Sequence, residues 1–210
     1  MHFTGGAPLG KICDLGTGVG VIALALALAD PRAQVVAAEL QPRLAELARK
    51  NAVENQLDTR VTIVEVDLAN ARATRQSLPG AQFDLVVSNP PYQPLDTGPS
   101  NPHDESAIAR HELRLTLADV VRETKRLLKP SGRATLIYPT DRLPTLLSSL
   151  DSAGLRPLRL RFVHDRPDDP ARRVLIEARK GAKGPLVVEA PLILRDGESY
   201  TPEARRLLGE

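Results

Sequence analysis

The chain has 210 residues, 42% hydrophobic and 26% charged, with a formal net charge of +2. That balance suits a globular protein and excludes a low-complexity or disordered one. A single cysteine, Cys13, excludes an internal disulfide framework and fits a reducing, cytoplasmic compartment. Four histidines (His2, His103, His111, His164) and that cysteine show no metal-ligand spacing, so no metal is expected.

Lys11-Ile12-Cys13-Asp14-Leu15 reads as a first strand, and Gly16-Thr17-Gly18-Val19-Gly20 as a tight loop opening an Ala/Leu-rich helix over 19–29 that Pro31 ends. The run from Val21 to Ala29 has the length of a secretory h-region. It follows Asp14 and three glycines rather than a basic segment, and no run reaches the ~20 apolar residues of a membrane span. Gln34–Ala38 reads as strand 2, with Glu39 at its end, and Pro42 to about Asn55 as a helix with proline in its first turn. Val61–Val66 is strand 3, closed by Asp67. A polar Ala/Arg stretch and the turn Pro79-Gly80 then lead to strand 4, Phe83–Val87.

Strand 4 stops abruptly at Ser88-Asn89-Pro90-Pro91-Tyr92. Pro90 and Pro91 lack an N–H and hold φ near −65°, so the backbone forms a rigid corner at the end of a buried strand. In open α/β sheets ligands bind at that edge. The corner offers two acceptors, the Asn89 side-chain oxygen and the Pro90 carbonyl, and one aromatic face, Tyr92. Acceptors aimed at the two hydrogens of a planar –NH2 would favour a tetrahedral nitrogen and free its lone pair. A plain proline-rich loop is the ordinary alternative.

Residues 93–108 read as a long surface loop, a candidate substrate lid. Thr116 caps a helix to Leu128, stopped by Lys129-Pro130-Ser131-Gly132. Arg133–Tyr138 is strand 5, and Asp141 to about Ala153 a further helix. Arg156–Val163 and Arg173–Ala178 are two strands with no helix between them. An apolar run, 186–194, and a polar end complete the chain. Alternating strands and helices predict one α/β domain over 1–210: a doubly wound, mostly parallel seven-stranded sheet with its last strand reversed. Residues 109–183 hold 17 Lys/Arg against 9 Asp/Glu, which points to a polyanion partner for one face, with a merely solvated surface as the alternative.

The pattern Asp14-x-Gly16-x-Gly18-x-Gly20 departs from the dinucleotide form and resembles S-adenosylmethionine-dependent methyltransferases. The resemblance implies a cofactor held by Asp14, Gly16, Thr17, Gly18 and Gly20. Glu39 would take the ribose hydroxyls, and Asp67 the adenine amino group between Leu40 and Leu68. Asn89 would touch both cofactor and substrate. With Asn89, Pro90, Pro91 and Tyr92 as catalytic residues, the set resembles a class I, Rossmann-like methyltransferase acting on an amino group.

Five further segments are similar to the tRNA1(Val) adenine-N6 methyltransferase family: Ala107-Ile108-Ala109-Arg110-His111-Glu112 with Leu117, Leu127 to Gly132, Phe162-Val163-His164, Val174 to Ala178, and Tyr200-Thr201-Pro202-Glu203. This implies tRNA as partner and methylation of adenine N6. Arg110, His111, Arg122, Lys125 and Arg126 are candidate phosphate contacts, the last three on one helix face with Lys129. Two alternatives stay open: methylation of a release-factor glutamine by the same corner, and a non-catalytic homologue. Ten residues precede Lys11, fewer than the cofactor-covering N-terminal segment usual in that family.

Overall fold

The computed structural model describes residues 10–80, 82–90 and 115–208. Its centre is a run of short apolar strands. β1 (Lys11–Leu15) pairs in parallel with β2 (Gln34–Glu39) on one side and β4 (Phe83–Ser88) on the other. β2 continues to β3 (Val61–Glu65), and β4 to β5 (Leu128–Pro139), again in parallel. β6 (Leu155–His164) and β7 (Arg173–Lys180) are joined by only eight residues. A parallel crossover needs a dozen or more, so the chain must turn back. β7 is accordingly antiparallel to both neighbours and lies between β5 and β6. The order is β3-β2-β1-β4-β5-β7-β6. The two-residue strands β8 (Val187–Val188) and β9 (Leu192–Ile193) extend the seven main strands at the β6 edge.

Helices cover the two faces through separate cores. α1 (Val21–Ala29) and α2 (Pro42–Glu54) press Ala23, Leu26, Ala27 and Ala52 onto Ile12, Val35, Leu85 and Val87. On the other face, α4 (Leu117–Leu127) and α5 (Leu143–Ser152) bury Val120, Leu127, Leu146 and Leu150 against Cys13, Val86, Leu136 and Ile176. α4 begins with a capping box: the Thr116 hydroxyl accepts from the Asp119 N–H, and the Asp119 carboxylate accepts from the Thr116 N–H. Among the described residues no helix is long and apolar enough to cross a membrane.

Several boundaries differ from the sequence reading. α1 starts at Val21, not 19, because Gly20 holds a left-handed φ of 90°. The polar stretch after Asp67 contains a helix, α3 (Ala71–Ser77), capped by Asn70 accepting from the Ala73 N–H. The segment Lys129–Gly132 is not a plain stop. α4 ends at Leu127 and β5 starts at Leu128, with a register shift opposite Phe83 and Leu85 that absorbs the extra residues. Lys129 therefore leaves the helix face and pairs with Asp84 at 2.8 Å. The tail forms a hairpin of β10 (Arg195–Asp196) and β11 (Ser199–Tyr200), followed by α6 (Pro202–Leu208).

Candidate active site

Parallel strands that all enter from one side also end together, and strands β1 to β4 deliver the candidate groups to one edge. The glycine loop leaves β1 there. Gly16 and Gly18 have φ of 73° and 59°, and a Cβ on either would meet nothing within 4 Å, so the backbone lines open space. Gly20 is different: a Cβ there would stand 3.4 Å from the Ala48 Cβ, which is how α1 and α2 come close. The Gly16 and Thr17 N–H groups both donate to the Ala38 carbonyl, pinning the loop to the end of β2.

Glu39 closes that loop. It is 5% exposed; one carboxylate oxygen accepts from the Gly18 N–H at 2.8 Å, the other from the N–H groups of Leu40 and Gln41. Asp14 lies deeper, at 1% exposure. Its Oδ2 accepts from the Thr17 hydroxyl at 2.6 Å, while its Oδ1 is buried without a hydrogen-bond partner. Burial pushes the Asp14 carboxyl up to about 6, against the lowering by hydrogen bonds from the Thr17 hydroxyl and the Ala23 N–H, with the Glu39 charge adding a smaller rise. Burial likewise pushes the neighbouring Cys13 thiol up, away from the reactive thiolate.

Asp67 stands at the end of β3, half-buried, with Oδ1 accepting from the Ala69 N–H and its carbonyl from the Thr74 hydroxyl. Leu68 beside it is buried, and Leu40 is half-buried at the adjoining strand end. Asn89 is exposed at the end of β4, and Pro90 is buried behind it. The preceding Ser88 is paired with Leu15, and its hydroxyl donates to the Leu15 carbonyl at 2.8 Å. That bond ties the corner to the start of the glycine loop. Pro91, Tyr92, Arg110, His111 and the 93–108 loop lie outside the described residues.

Of the three helix cations, only Lys125 is exposed and without an ion pair to α4. Arg122 pairs with Asp119, donates to Glu123 at 3.0 Å and to the Leu68 carbonyl at 3.0 Å. Arg126 donates to Glu123 at 2.6 Å and to the Leu78 carbonyl at 2.8 Å. Partial burial would raise the Asp119 carboxyl, but the hydrogen bonds from Thr116 and Arg122 hold it below its ordinary range. Arg122 and Arg126 are therefore committed to fastening the segment 68–78, rather than free to meet phosphates. Ser88 and the Arg122–Leu68 tie were missed in the sequence. A hydroxyl directly after the apolar run Leu85-Val86-Val87 was the available signal for Ser88, whereas nothing local marks an arginine for a carbonyl 54 positions away.

Whether these residues fit a nucleoside-bearing sulfonium is tested by Asp14. An orphaned, buried carboxylate oxygen next to an open glycine loop calls for a cation, and the cofactor's amino-acid end carries one. Glu39 and Asp67 supply acceptors at successive strand ends. The fit is good.

Residues 6–142 match the methyltransferase small domain family. Over 182 residues the chain is 37% identical to a tRNA1(Val) (adenine(37)-N6)-methyltransferase of Porphyromonas gingivalis, covering 84% of this chain and 70% of that one. A protein of the same name from Aeromonas hydrophila is 34% identical, with 81% and 69% covered. The chain thus spans about two thirds of the length of these relatives. Among solved structures, a predicted O-methyltransferase from Agrobacterium tumefaciens superposes with a TM-score of 0.80 at 25% identity, over 98% of this chain and 91% of that one.

Proposed function

Because the chain belongs to the methyltransferase small domain family, we propose that it transfers a methyl group from S-adenosylmethionine to the N6 amino group of an adenine in tRNA. The observation that carries this reading is the meeting of Asn89 and the glycine loop at one sheet edge, fastened by the Ser88–Leu15 hydrogen bond. The relatives' names supply the substrate class.

S-adenosylmethionine supplies an electrophilic methyl group on a sulfonium. Gly16 to Gly20 would receive its amino-acid end, with Asp14 Oδ1 facing the positive charge. Glu39 would take the ribose hydroxyls, and Asp67 the adenine, with Leu40 and Leu68 as apolar neighbours. The Asn89 side-chain oxygen and the Pro90 carbonyl would accept the two amine hydrogens of the target. That aims the nitrogen lone pair along the line of displacement. Pro91 would stiffen the corner, and Tyr92 would stack on the flat base, as in enzymes that act on extruded bases. Once the nitrogen carries charge its proton is acidic, so no dedicated base is required. Lys125, with Arg110 and His111, is a candidate phosphate contact. Every described group of the site sits on one sheet, which supports a single domain. The lone buried cysteine supports a cytoplasmic setting.

The test is methylation of a tRNA transcript by the full chain, with a release factor as the competing substrate. Asn89→Ala should lower kcat about 10²-fold or more while leaving S-adenosylhomocysteine binding intact. Full activity of that variant, or methylation of the release factor alone, would overturn the reading.

A further inference from the structure

α4 buries a carboxylate. Glu123 is 1% exposed, and a carboxylate taken out of water has to be paired. Two arginines of the same helix meet it: Arg122 Nε donates to Oε1 at 3.0 Å, and Arg126 Nε donates to Oε2 at 2.6 Å. Holding a planar guanidinium by its Nε fixes the direction of the remaining fork. The Arg122 fork is fully used, with Nη1 on Asp119 and Nη2 donating to the Leu68 carbonyl at 3.0 Å. Arg126 sends Nη1 to the Leu78 carbonyl at 2.8 Å. One buried carboxylate thus braces both ends of the segment that contains α3.

The end at Leu68 bears on the ligand edge. Asp67 Oδ1 accepts from the Ala69 N–H at 2.9 Å, and the Asp67 carbonyl accepts from the Asn70 N–H at 3.1 Å. These bonds close a turn, and the Leu68 carbonyl gripped by Arg122 lies in its middle. The Leu68 side chain is buried in the same core as Val120 and Val121 of α4. Side chain and carbonyl alike therefore tie this turn to the helix. With Oδ1 occupied, Oδ2 is the Asp67 oxygen that has no hydrogen bond among the described residues. Its direction is set by the turn.

The geometry points to Glu123 as a positioning residue that sets the selectivity of the cofactor site for adenine. Through Arg122 it holds the turn that presents Asp67 Oδ2 to the base's amine. The assignment rests on the S-adenosylmethionine reading above, and extends it to a residue that touches neither cofactor nor substrate. A carboxylate oxygen favours an exocyclic amine, which donates, over an exocyclic oxygen, which would leave it unpaired. That preference is only as sharp as the placement of the acceptor, because a hydrogen bond weakens steeply as its angle closes.

The experiment is calorimetric titration of the full chain with S-adenosylhomocysteine and with S-inosylhomocysteine, which carries an oxygen in place of the amine. Wild type should prefer the first by about 100-fold, the loss of a hydrogen bond to a charged group. Glu123→Met removes both acceptors at nearly constant side-chain length and should reduce that ratio about fivefold, as one weakened hydrogen bond does. Asp14→Asn should weaken both ligands alike and leave the ratio as in wild type. Arg122→Gln should match Glu123→Met, and the double variant should fall no further, because residues acting through one contact are not additive. An unchanged ratio in Glu123→Met, or losses that multiply in the double variant, overturns the positioning role. If Glu123→Met does not fold, the ratio in Arg122→Gln decides in its place. Equal affinity of wild type for the two ligands removes the adenine role of Asp67 and this proposal with it, while leaving methyl transfer to tRNA standing. If wild type binds neither ligand, the cofactor reading fails as well.

Discussion

Asp14→Asn tests the electrostatics of the site most directly. In the folded protein the Asp14 carboxyl is pushed up to about 6 from an ordinary 3.8, chiefly by burial. A group raised on folding contributes most below its unfolded value, and that contribution is lost as pH rises through the folded one. Above about pH 7, carrying the charge in the ligand-free protein costs up to about 3 kcal/mol, at ~1.4 kcal/mol per tenfold. Asparagine removes the charge but leaves an amide N–H in place of the orphaned Oδ1, a penalty of about 1 kcal/mol. The variant should therefore be more stable than wild type by about 2 kcal/mol near pH 8. Near pH 4 it should gain nothing. Urea unfolding of both proteins across that range reads the difference directly, since other titrating groups cancel. The same variant should bind S-adenosylhomocysteine more weakly, because the cation's partner is gone. A stability difference that does not change with pH would refute the argument that Asp14 is charged at a cost in the free protein.

Glu39→Gln should weaken S-adenosylhomocysteine binding by about 10- to 100-fold in calorimetry, the worth of charge-assisted hydrogen bonds to a ribose. Arg122→Gln releases the Leu68 carbonyl from α4 and should raise the KM for S-adenosylmethionine several-fold with kcat nearly unchanged; an equal fall in kcat would contradict a positioning role. Gly20→Ala places a Cβ in a left-handed backbone 3.4 Å from the Ala48 Cβ. It should cost about 1–2 kcal/mol in urea unfolding, whereas Ala48→Gly in the same background should not recover that backbone term.

Strands β1 to β4 and their terminal residues were legible in the sequence because each signal is local: an apolar run, then glycine, a carboxylate or Asn-Pro-Pro. The shared edge follows from the parallel connections alone, since each crossover carries the chain back to the same end before the next strand begins. α3 was not legible, because only Thr74 of its seven residues is buried and no apolar stripe forms. Nor was the start of β5 at Leu128, whose pairing with Phe83 carries the strand on through the local turn signals of proline and glycine in Lys129–Gly132.

The amino-acid order by itself determined which residues reach the ligand edge, for their positions relative to strand ends are set by nearest neighbours in the chain. Only the tertiary structure decided what the arginines do. Arg122 and Arg126 share a helix with Lys125, yet they turn to carbonyls 54 and 48 residues away, because those carbonyls lie against α4. Arg133, Arg156 and Arg179 are scattered over 47 positions of sequence and become one row solely through the inserted antiparallel strand β7. Strand register is a long-range property, fixed by pairing partners that no local pattern names.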